Sequence, residues 1–296
     1  MRIFFAAALL IMIASCDTPR YAYSPTAHNI PSFKKQGDTK LSASFSSNFD
    51  INQSEDSYQR NRANGYDLQA AVAATDHLAI QGSYYSRTER NYDSYGTYFD
   101  SSTINVKRNM WEAGVGYYTA IDRKNNNSFA LYGGVGFGTM KLHDKGVDNS
   151  SYVPYARFYN ADLFKWYLEP SLTFRKGSVF TFSVATRLSG IKFKNILTDY
   201  SFDEKRTLDL DSLNRFTWYF FEPCIVNSFG FNKLPGFRIE YQFGLSLLLS
   251  GENAFRYRPF NFSIGLLFDI PKLIRNGAEG SESSGDRASL YRPAGW

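Results

Sequence analysis

Apolar and polar residues alternate along most of this chain, in segments joined by connections that are alternately long and short. The alternation predicts ten strands, near 39–48, 65–74, 78–88, 109–121, 128–142, 155–174, 179–191, 215–229, 236–249 and 259–269. The long connections are 49–63, 89–107, 143–154, 192–213 and 250–258, and the short ones are 75–77, 122–127, 175–178 and 230–235. This arrangement is typical of a transmembrane up-and-down β-barrel, with short periplasmic turns and long extracellular loops.

The ninth predicted strand shows which side should face which medium. Apolar residues from Phe237 to Leu247 alternate there with Arg238, Glu240 and Gln242. We expect the apolar side to contact lipid and the charged side to face the lumen. The reverse arrangement, a lipocalin-like soluble barrel, is the alternative, but ten such strands would overfill the interior of a small soluble barrel. The predicted fold is therefore an all-β, single-chain antiparallel barrel over 39–269.

Composition agrees with this fold. Aromatic residues make up 17 % of the chain, with 26 Phe and 21 Tyr, and membrane barrels concentrate such residues in girdles at both interfaces. A mean hydropathy of −0.36 excludes a polytopic helical membrane protein. The formal charge of +5 is spread along the chain, so no nucleic-acid partner is expected.

The N-terminus predicts export. Residues 1–15 have a positive start and an apolar run from Ile3 to Ile13 that is too short to span a bilayer, as in a secretory signal peptide. Ile13-Ala14-Ser15-Cys16 resembles the lipobox of bacterial lipoproteins, in which the cysteine carries the lipid. The alternative is an ordinary signal peptide with a chance cysteine. With Cys16 acylated, Cys224 has no disulfide partner.

Both ends of the chain lie outside the strand pattern. Residues 16–38 contain three prolines and no period, which indicates a lipidated periplasmic tether. Residues 270–296 are rich in Gly, Ser and Glu and are expected to form a disordered periplasmic tail. An even number of strands returns the chain to its starting side, so both termini are predicted to be periplasmic.

A short pattern occurs twice on the lumen side. Trp166 to Leu172 resembles Tyr219 to Ile225, and each segment contains a Glu-Pro pair. Proline cannot donate to a strand ladder, so we expect a bulge or break at each pair. The alternation predicts a polar network in the lumen, formed by Glu112, Glu169, Arg187, Glu222, Arg238 and Glu240. This network either plugs the lumen or forms a proton path, a cation path or a small-ligand site.

Glycines cluster on two neighbouring predicted strands. They are Gly114, Gly116, Gly134, Gly136 and Gly138. No helix follows them, which argues against a phosphate-binding loop. We expect them to make room in the lumen for bulky side chains opposite, such as Tyr, Trp or Arg.

Catalytic and metal-binding signals are weak. The chain has three histidines, and the one defensible catalytic candidate is His143 beside Asp144. Asp209 and Asp211 are the best calcium candidates, but they lack a loop with ligand spacing. We therefore predict no enzyme activity, no cofactor and no metal site.

Specific short runs resemble a group of predicted outer-membrane lipoprotein barrels common in Bacteroidota. The runs are Cys16, Pro19-x-Tyr21, Asn29-x-Pro31, Gly37-Asp38, the turn from Ala74 to Ile80, Glu112-x-Gly114-x-Gly116-Tyr117-Tyr118, and Tyr132-Gly133-Gly134-x-Gly136-x-Gly138. The similarity is most specific over residues 16–140. It implies a fold and a location in the Gram-negative cell envelope, and it transfers no catalytic residue.

The sequence thus predicts a monomeric outer-membrane barrel in contact with outer-membrane lipid, anchored by acyl chains on Cys16. Its role is predicted to be structural or interactive, with loops 49–63, 89–107 and 192–213 meeting an extracellular ligand or envelope protein. Tyrosines in these loops also suit strands that extend beyond the membrane. A narrow pore or small-ligand transporter, and a barrel enzyme acting on lipid or peptide, are the alternatives.

Overall fold

The computed structural model describes residues 20–49, 63–94, 101–124, 126–147, 153–177, 179–249 and 256–270. Ten strands lie within these residues, and they carry almost all of the regular structure. They are β1 (Thr39–Phe49), β2 (Ala63–Ala73), β3 (Leu78–Ser94), β4 (Ser101–Ala120), β5 (Asn127–Val147), β6 (Pro154–Lys176), β7 (Phe180–Thr198), β8 (Trp218–Phe231), β9 (Leu234–Leu245) and β10 (Phe260–Phe268). The two residues Leu247–Leu248 continue β9 in the same register against β8.

The strands form one closed antiparallel sheet. Each strand from β2 to β9 pairs with its two neighbours in sequence. β10 pairs with β1, from Leu41 opposite Phe268 to Phe49 opposite Phe260, and this pairing closes the barrel. Because the ring is closed, none of the described strands is left as a sheet edge. An open edge would expose unpaired backbone N–H and C=O groups to lipid, which is unfavourable. The predicted number of strands, their antiparallel order and the up-and-down topology are confirmed.

Apolar side chains cover the outside of the barrel. Trp111, Val115 and Phe137 are 66 %, 66 % and 61 % exposed, whereas the intervening Glu112 and Gly114 are buried. The same alternation holds in β10, where Phe262 and Ile264 face outward. A water-soluble barrel would bury these large apolar residues, so the lipocalin-like alternative is wrong.

Outward aromatic residues lie in two rows. Tyr84, Trp111, Phe137 and Phe164 are cross-strand neighbours toward the long-loop end, and we call them the upper aromatic row. Toward the short-turn end, phenylalanines contact one another in pairs: Phe174–Phe182, Phe180–Phe229 and Phe237–Phe268. Two such rows with aliphatic residues between them are typical of the two membrane interfaces.

Strands at the long-loop end are longer than the sequence analysis predicted. β3 continues to Ser94 and β4 begins at Ser101, so most of the expected loop 89–107 is strand. The longer strands agree with the interpretation that strands extend beyond the membrane at this end. Most of the predicted loops 49–63 and 250–258, and the tail after residue 270, lie outside the described residues.

One short helix, α1 (Phe202–Thr207), lies between β7 and β8 among the described residues. Ser201 caps its first turn by accepting a hydrogen bond from the Glu204 backbone N–H, and the Glu204 side chain accepts from the Ser201 N–H. No helix within the described part of the chain is long and apolar enough to cross a membrane.

Candidate functional site: the barrel lumen

The N-terminal segment 20–33, which we call the lumen segment, lies inside the barrel. Its residues are almost all buried, although it forms no regular strand. At the long-loop end, the Ala22 N–H donates to the Arg256 carbonyl (2.9 Å) and the Arg258 N–H donates to the Tyr23 carbonyl (3.0 Å). Arg108 donates to the Tyr21 and Ala22 carbonyls and to the Ser24 hydroxyl. These bonds satisfy backbone groups that are buried without a neighbouring strand.

Side-chain amides form hydrogen bonds between the wall and the middle of the lumen segment. Gln242 accepts from the His28 N–H (2.9 Å) and donates to the His28 carbonyl (2.8 Å), as a strand neighbour would. Gln69 donates to the Ala27 carbonyl (3.1 Å), and Asn29 donates to the Ala70 carbonyl (3.1 Å). The wall therefore provides side-chain partners for an extended backbone that crosses its interior.

The lumen segment leaves the barrel at the short-turn end. Phe33 packs against Tyr118, with ring centroids 5.6 Å apart. Beyond it, the Gln36 N–H donates to Asp76 (3.0 Å) in the β2–β3 turn, and the Gly37 N–H donates to the Ala73 carbonyl. The chain then enters β1 at Thr39. It has crossed the whole lumen, from the long loops to the short turns.

This path corrects the expected tether over residues 16–38. Residues 20–33 lie in the lumen and not in the periplasm, and residue 20 is at the opposite end of the barrel from Thr39. The segment shows no apolar period because its surroundings are the polar inner wall. Its prolines keep it extended without allowing it to join the sheet. Residues 16–19, including Cys16, lie outside the described residues.

Arg187 is the centre of the polar network at mid-height. Its Nε donates to a Glu169 carboxylate oxygen (2.5 Å), and its Nη1 lies 3.6 Å from Glu112 and donates to Thr26 of the lumen segment (3.0 Å). Lys165 pairs with the other oxygen of Glu112 at 2.9 Å. His28 Nδ1 lies 3.2 Å from Glu169. The network therefore joins the wall to the lumen segment.

The repeated Glu-Pro pairs flank this arginine. Arg187 lies directly opposite Glu222 across β7 and β8, and Pro223 lies opposite Thr186. On the other side, β6 and β7 stay in one register, since Leu168 pairs with Leu188 and Ser171 with Ala185. The register is continuous past both prolines, so neither pair forms a bulge. The ladder is nevertheless interrupted at each pair, since Glu169 and Pro170 have no ladder partner on β7, and Glu222 and Pro223 have none on the β9 side. The expected local break is therefore confirmed. The register shift of β6 lies instead between Asn160 and Asp162.

Glu222 connects the network to the first residues of the lumen segment. Its carboxylate accepts hydrogen bonds from Tyr23 (2.7 Å), Ser246 (2.9 Å) and Ser189 (3.1 Å). These donors satisfy a carboxylate that would otherwise be costly to bury.

Arg238 and Glu240 lie apart from this centre, toward the short turns. Glu240 pairs with Lys40 (3.1 Å). Arg238 donates to Thr181 (2.8 Å) and Ser228 (3.0 Å). Both line a cavity of about 380 Å³ at the short-turn mouth. The structure thus brings Glu112, Glu169, Arg187 and Glu222 together, whereas Arg238 and Glu240 belong to the mouth.

Sequence reasoning missed a second charged group near the long loops. Arg87 forms two hydrogen bonds with Asp67 (3.0 and 2.9 Å). Glu89 pairs with Arg108 (3.0 Å) and with Arg258 (2.6 Å). Arg87 and Glu89 occupy the polar phase of β3, but that stretch coincided with the predicted strand end and loop. Arg87 lies within the predicted strand 78–88 on its polar phase, and continuing that phase past residue 88 would have found Glu89.

The glycine cluster makes room for tyrosines, as expected. A Cβ atom built at Gly114 would lie 2.5 Å from the Tyr167 hydroxyl oxygen, and one at Gly134 would lie 2.6 Å from the same atom. A Cβ at Gly116 would overlap the Tyr132 ring. Tyr167 in turn lies under the Arg187 guanidinium, with 4.8 Å from Cζ to the ring centroid.

The connection between β7 and β8 folds over the long-loop end. Leu210, Leu213 and Trp218 pack in one buried cluster with Tyr23 of the lumen segment. Tyr200 donates to Asp144 (2.8 Å), which also pairs with Arg20 (2.6 Å). Burial, reinforced by the charge of Asp144, raises the pKa of the Tyr200 hydroxyl, so it remains a donor.

The weak catalytic and metal candidates are not assembled. The His143 side chain is on the outer face, whereas that of Asp144 points inward, so the two do not meet. Asp211 pairs with Arg215 (3.3 Å), and Asp209 with Arg256 (3.5 Å). Among the described residues, no three His, Cys, Asp or Glu side chains group as metal ligands.

The chain is similar to several solved proteins at low sequence identity. The translocator domain of the autotransporter NalP from Neisseria meningitidis is 9 % identical, with a TM-score of 0.47, 79 % of this chain covered and 88 % of that one. Ail from Yersinia pestis is 13 % identical, with a TM-score of 0.31, 79 % of this chain and 97 % of that one. The outer membrane protease OmpT from Escherichia coli is 8 % identical, with a TM-score of 0.38, 79 % of this chain and 95 % of that one.

No curated protein matches this chain in sequence. Residues 6–206, more than half of the chain, match the family described as the outer membrane protein beta-barrel domain. Together with the closed ten-stranded barrel and its apolar outer wall, this match shows that the chain belongs to the outer membrane protein beta-barrel domain family and is located in the outer membrane.

Proposed function

We propose that this protein is a monomeric, plugged outer-membrane barrel with a structural or surface-interaction role. Its long loops, including the folded connection between β7 and β8, form the interacting end. The lumen segment fills the interior, so the barrel does not serve as an open channel.

The observation that carries this proposal is the bonding of the lumen segment to the wall along its whole length. Arg108 holds its carbonyls near the long loops, Gln242 holds His28 in the middle, and Phe33 packs near the short turns. Each contact satisfies a group that would otherwise be buried alone. Moving the segment aside would break many of these bonds together.

Ion conductance in planar bilayers tests the proposal. We expect the purified wild-type protein to show no stable conductance steps. A variant lacking residues 20–33, checked for SDS-resistant folding before boiling, is expected to conduct and serves as the positive control. Reproducible steps from the wild-type barrel would overturn the proposal, whatever the variant does.

A small-ligand transporter is the second candidate, and the mouth cavity favours it. This cavity of about 380 Å³ opens at the short-turn end and is lined by Lys40, Arg175, Arg238 and Glu240. Uptake of a charged solute into vesicles, lost on Glu240→Gln and retained on Glu204→Gln in α1, would support transport. No uptake above protein-free vesicles would exclude it.

We further propose that Cys16 is acylated and that its lipid is at the long-loop end. Cys16 precedes Arg20 by four residues, which span at most about 14 Å. Arg20 pairs with Asp144 near the end of β5, so the lipid enters the membrane from the outer side. This placement replaces the periplasmic N-terminus expected from an even strand number.

Two measurements test the anchor. Metabolic labelling with a clickable fatty acid should modify the wild-type protein and not Cys16→Ala. An epitope inserted after Asp17 should bind antibody on intact cells. Binding only after the outer membrane is permeabilised would contradict the surface placement.

A further inference from the structure

The outer wall at and beyond the upper aromatic row carries a cluster of exposed lysines on β4, β5 and β7. We call it the basic patch. Its members are Lys107, Lys141, Lys145, Lys192 and Lys194. They face outward, away from the lumen network and the lumen segment.

Two of these lysines face each other and repel when no ligand is bound. Lys107 lies directly opposite Lys141 across β4 and β5, and both are exposed. Like charges in that position repel each other. Their neighbours in the same cross-strand row, Thr88 and Asn160, are neutral and offer no compensation.

Acidic residues on this face are few within the described part of the chain. Asp162 lies opposite Lys194 in the ladder and faces it with one negative charge, and its carboxylate also accepts a hydrogen bond from Asn195 (2.7 Å). Asp199, just after β7, accepts from the Phe158 backbone N–H (2.7 Å). Lys194 is placed over the Phe164 ring, 4.7 Å from its centroid. The face therefore carries a net positive charge.

The basic patch lies at the position along the barrel where lipid headgroups are expected. Lys192 is in the same cross-strand row as Phe164 of the upper aromatic row. Lys107 and Lys141 are four residues beyond Trp111 and Phe137, which is about 13 Å along a strand. Aromatic rows mark the membrane interface, so the lysines extend from that interface toward the outside.

A groove with aromatic walls adjoins the patch. It has a volume of about 610 Å³ and is lined by Trp111, Phe137 and Phe164, with Lys194 and Asp162 among its polar residues. A groove with aromatic walls and a lysine at its rim suits an acyl chain whose headgroup is anionic.

We propose that the basic patch binds the phosphate groups of a phosphorylated glycolipid in the outer leaflet, with an acyl chain in the adjoining groove. Phosphate on Lys107 and Lys141 relieves their mutual repulsion and forms charge-assisted hydrogen bonds. The site is independent of the lumen, so it does not rest on the plug or on the acylation of Cys16.

Native mass spectrometry of the detergent-purified full chain tests this site, with bisphosphorylated lipid A as the probe. We expect lipid A to bind at least tenfold more tightly than its dephosphorylated form or phosphatidylcholine. Equal binding of lipid A and its dephosphorylated form by the wild-type protein would overturn the proposal without any variant.

A charge-matched pair of variants locates the site. Lys107→Gln/Lys141→Gln/Lys194→Gln should weaken lipid A binding at least tenfold. Lys124→Gln/Lys176→Gln/Lys233→Gln removes the same charge at the short-turn end and should leave binding unchanged. Equal losses in both variants, or no loss in the first, would show that the basic patch is not the site.

Discussion

At the residue scale, Arg187 determines whether the buried carboxylates of the lumen are tolerated. It contacts Glu169 and Glu112 and lies opposite Glu222, all of them buried. A carboxylate removed from water without a cationic partner is strongly unfavourable. One guanidinium can serve several carboxylates because its donors are arranged in a rigid fork.

We therefore expect Arg187→Met to destabilise the barrel by about 3–5 kcal/mol, because it leaves Glu169 without its strongest partner. The free energy of unfolding in detergent, from urea titration, measures this. Arg215→Met, which removes an exposed arginine that pairs with Asp211, is the control and should cost less than about 0.5 kcal/mol. Equal effects of the two substitutions would contradict the role given to Arg187.

A second residue-scale prediction concerns the space under Tyr167. Gly114→Ala places a methyl group against the Tyr167 hydroxyl and the Gly133 carbonyl, so it should destabilise by about 1–3 kcal/mol. At Gly82 a Cβ meets no atom closer than 3.7 Å, and Gly82→Ala should stay within about 0.5 kcal/mol. The free energies of unfolding of the two variants are measured by the same urea titration. A neutral Gly114→Ala would show that the glycines do not make room for Tyr167.

At the element scale, the lumen segment behaves as an additional extended element without a strand neighbour. The His28 backbone is paired through the Gln242 amide and so is shielded from solvent. The Lys34 N–H, just past the lumen segment, is also hydrogen-bonded, to Asp38, but in an exposed position. The His28 and Lys34 amides are both hydrogen-bonded, and they differ in burial.

Hydrogen exchange read by NMR should show this difference. We expect the His28 amide to exchange much more slowly than the Lys34 amide in the wild-type protein, because only His28 is buried. Gln242→Ala should accelerate exchange at His28 and leave Lys34 unchanged. If His28 exchanges as fast as Lys34 in the wild type, the segment is not held in the lumen.

The strands could be predicted from the sequence because lipid and lumen impose a two-residue alternation on the wall. Arg108 lies just before the predicted start of its strand at residue 109, so the alternation did not include it. Lys165 shares the phase of Glu169 within a predicted strand, and the same alternation could have found it. The lumen segment could not be predicted, because its partners come from distant parts of the chain, such as Gln242 for His28. A proline-rich, aperiodic run has the same pattern in a tether and in a plug.

At the scale of the whole molecule, the barrel and its plug form one unit. Closure pairs Leu41 with Phe268, which are far apart in sequence, so the ring is completed only after the last strand is available. The lumen segment precedes all ten strands in the chain. The lumen segment contacts Gln242 of β9 and Arg258 just before β10. It therefore bonds to the part of the wall that completes the ring.

The lumen segment runs through the barrel from the long loops to the short turns. Chemical crosslinking of cysteine pairs tests it most directly, in Cys224→Ser protein with a short thiol-reactive crosslinker. We predict that Arg20→Cys crosslinks to Asp144→Cys at the long-loop end and not to Asp76→Cys in the β2–β3 turn. The pair Gln36→Cys and Asp76→Cys should crosslink as a positive control. Crosslinking of residue 20 to residue 76, with none to residue 144, would show that the segment does not run through the barrel.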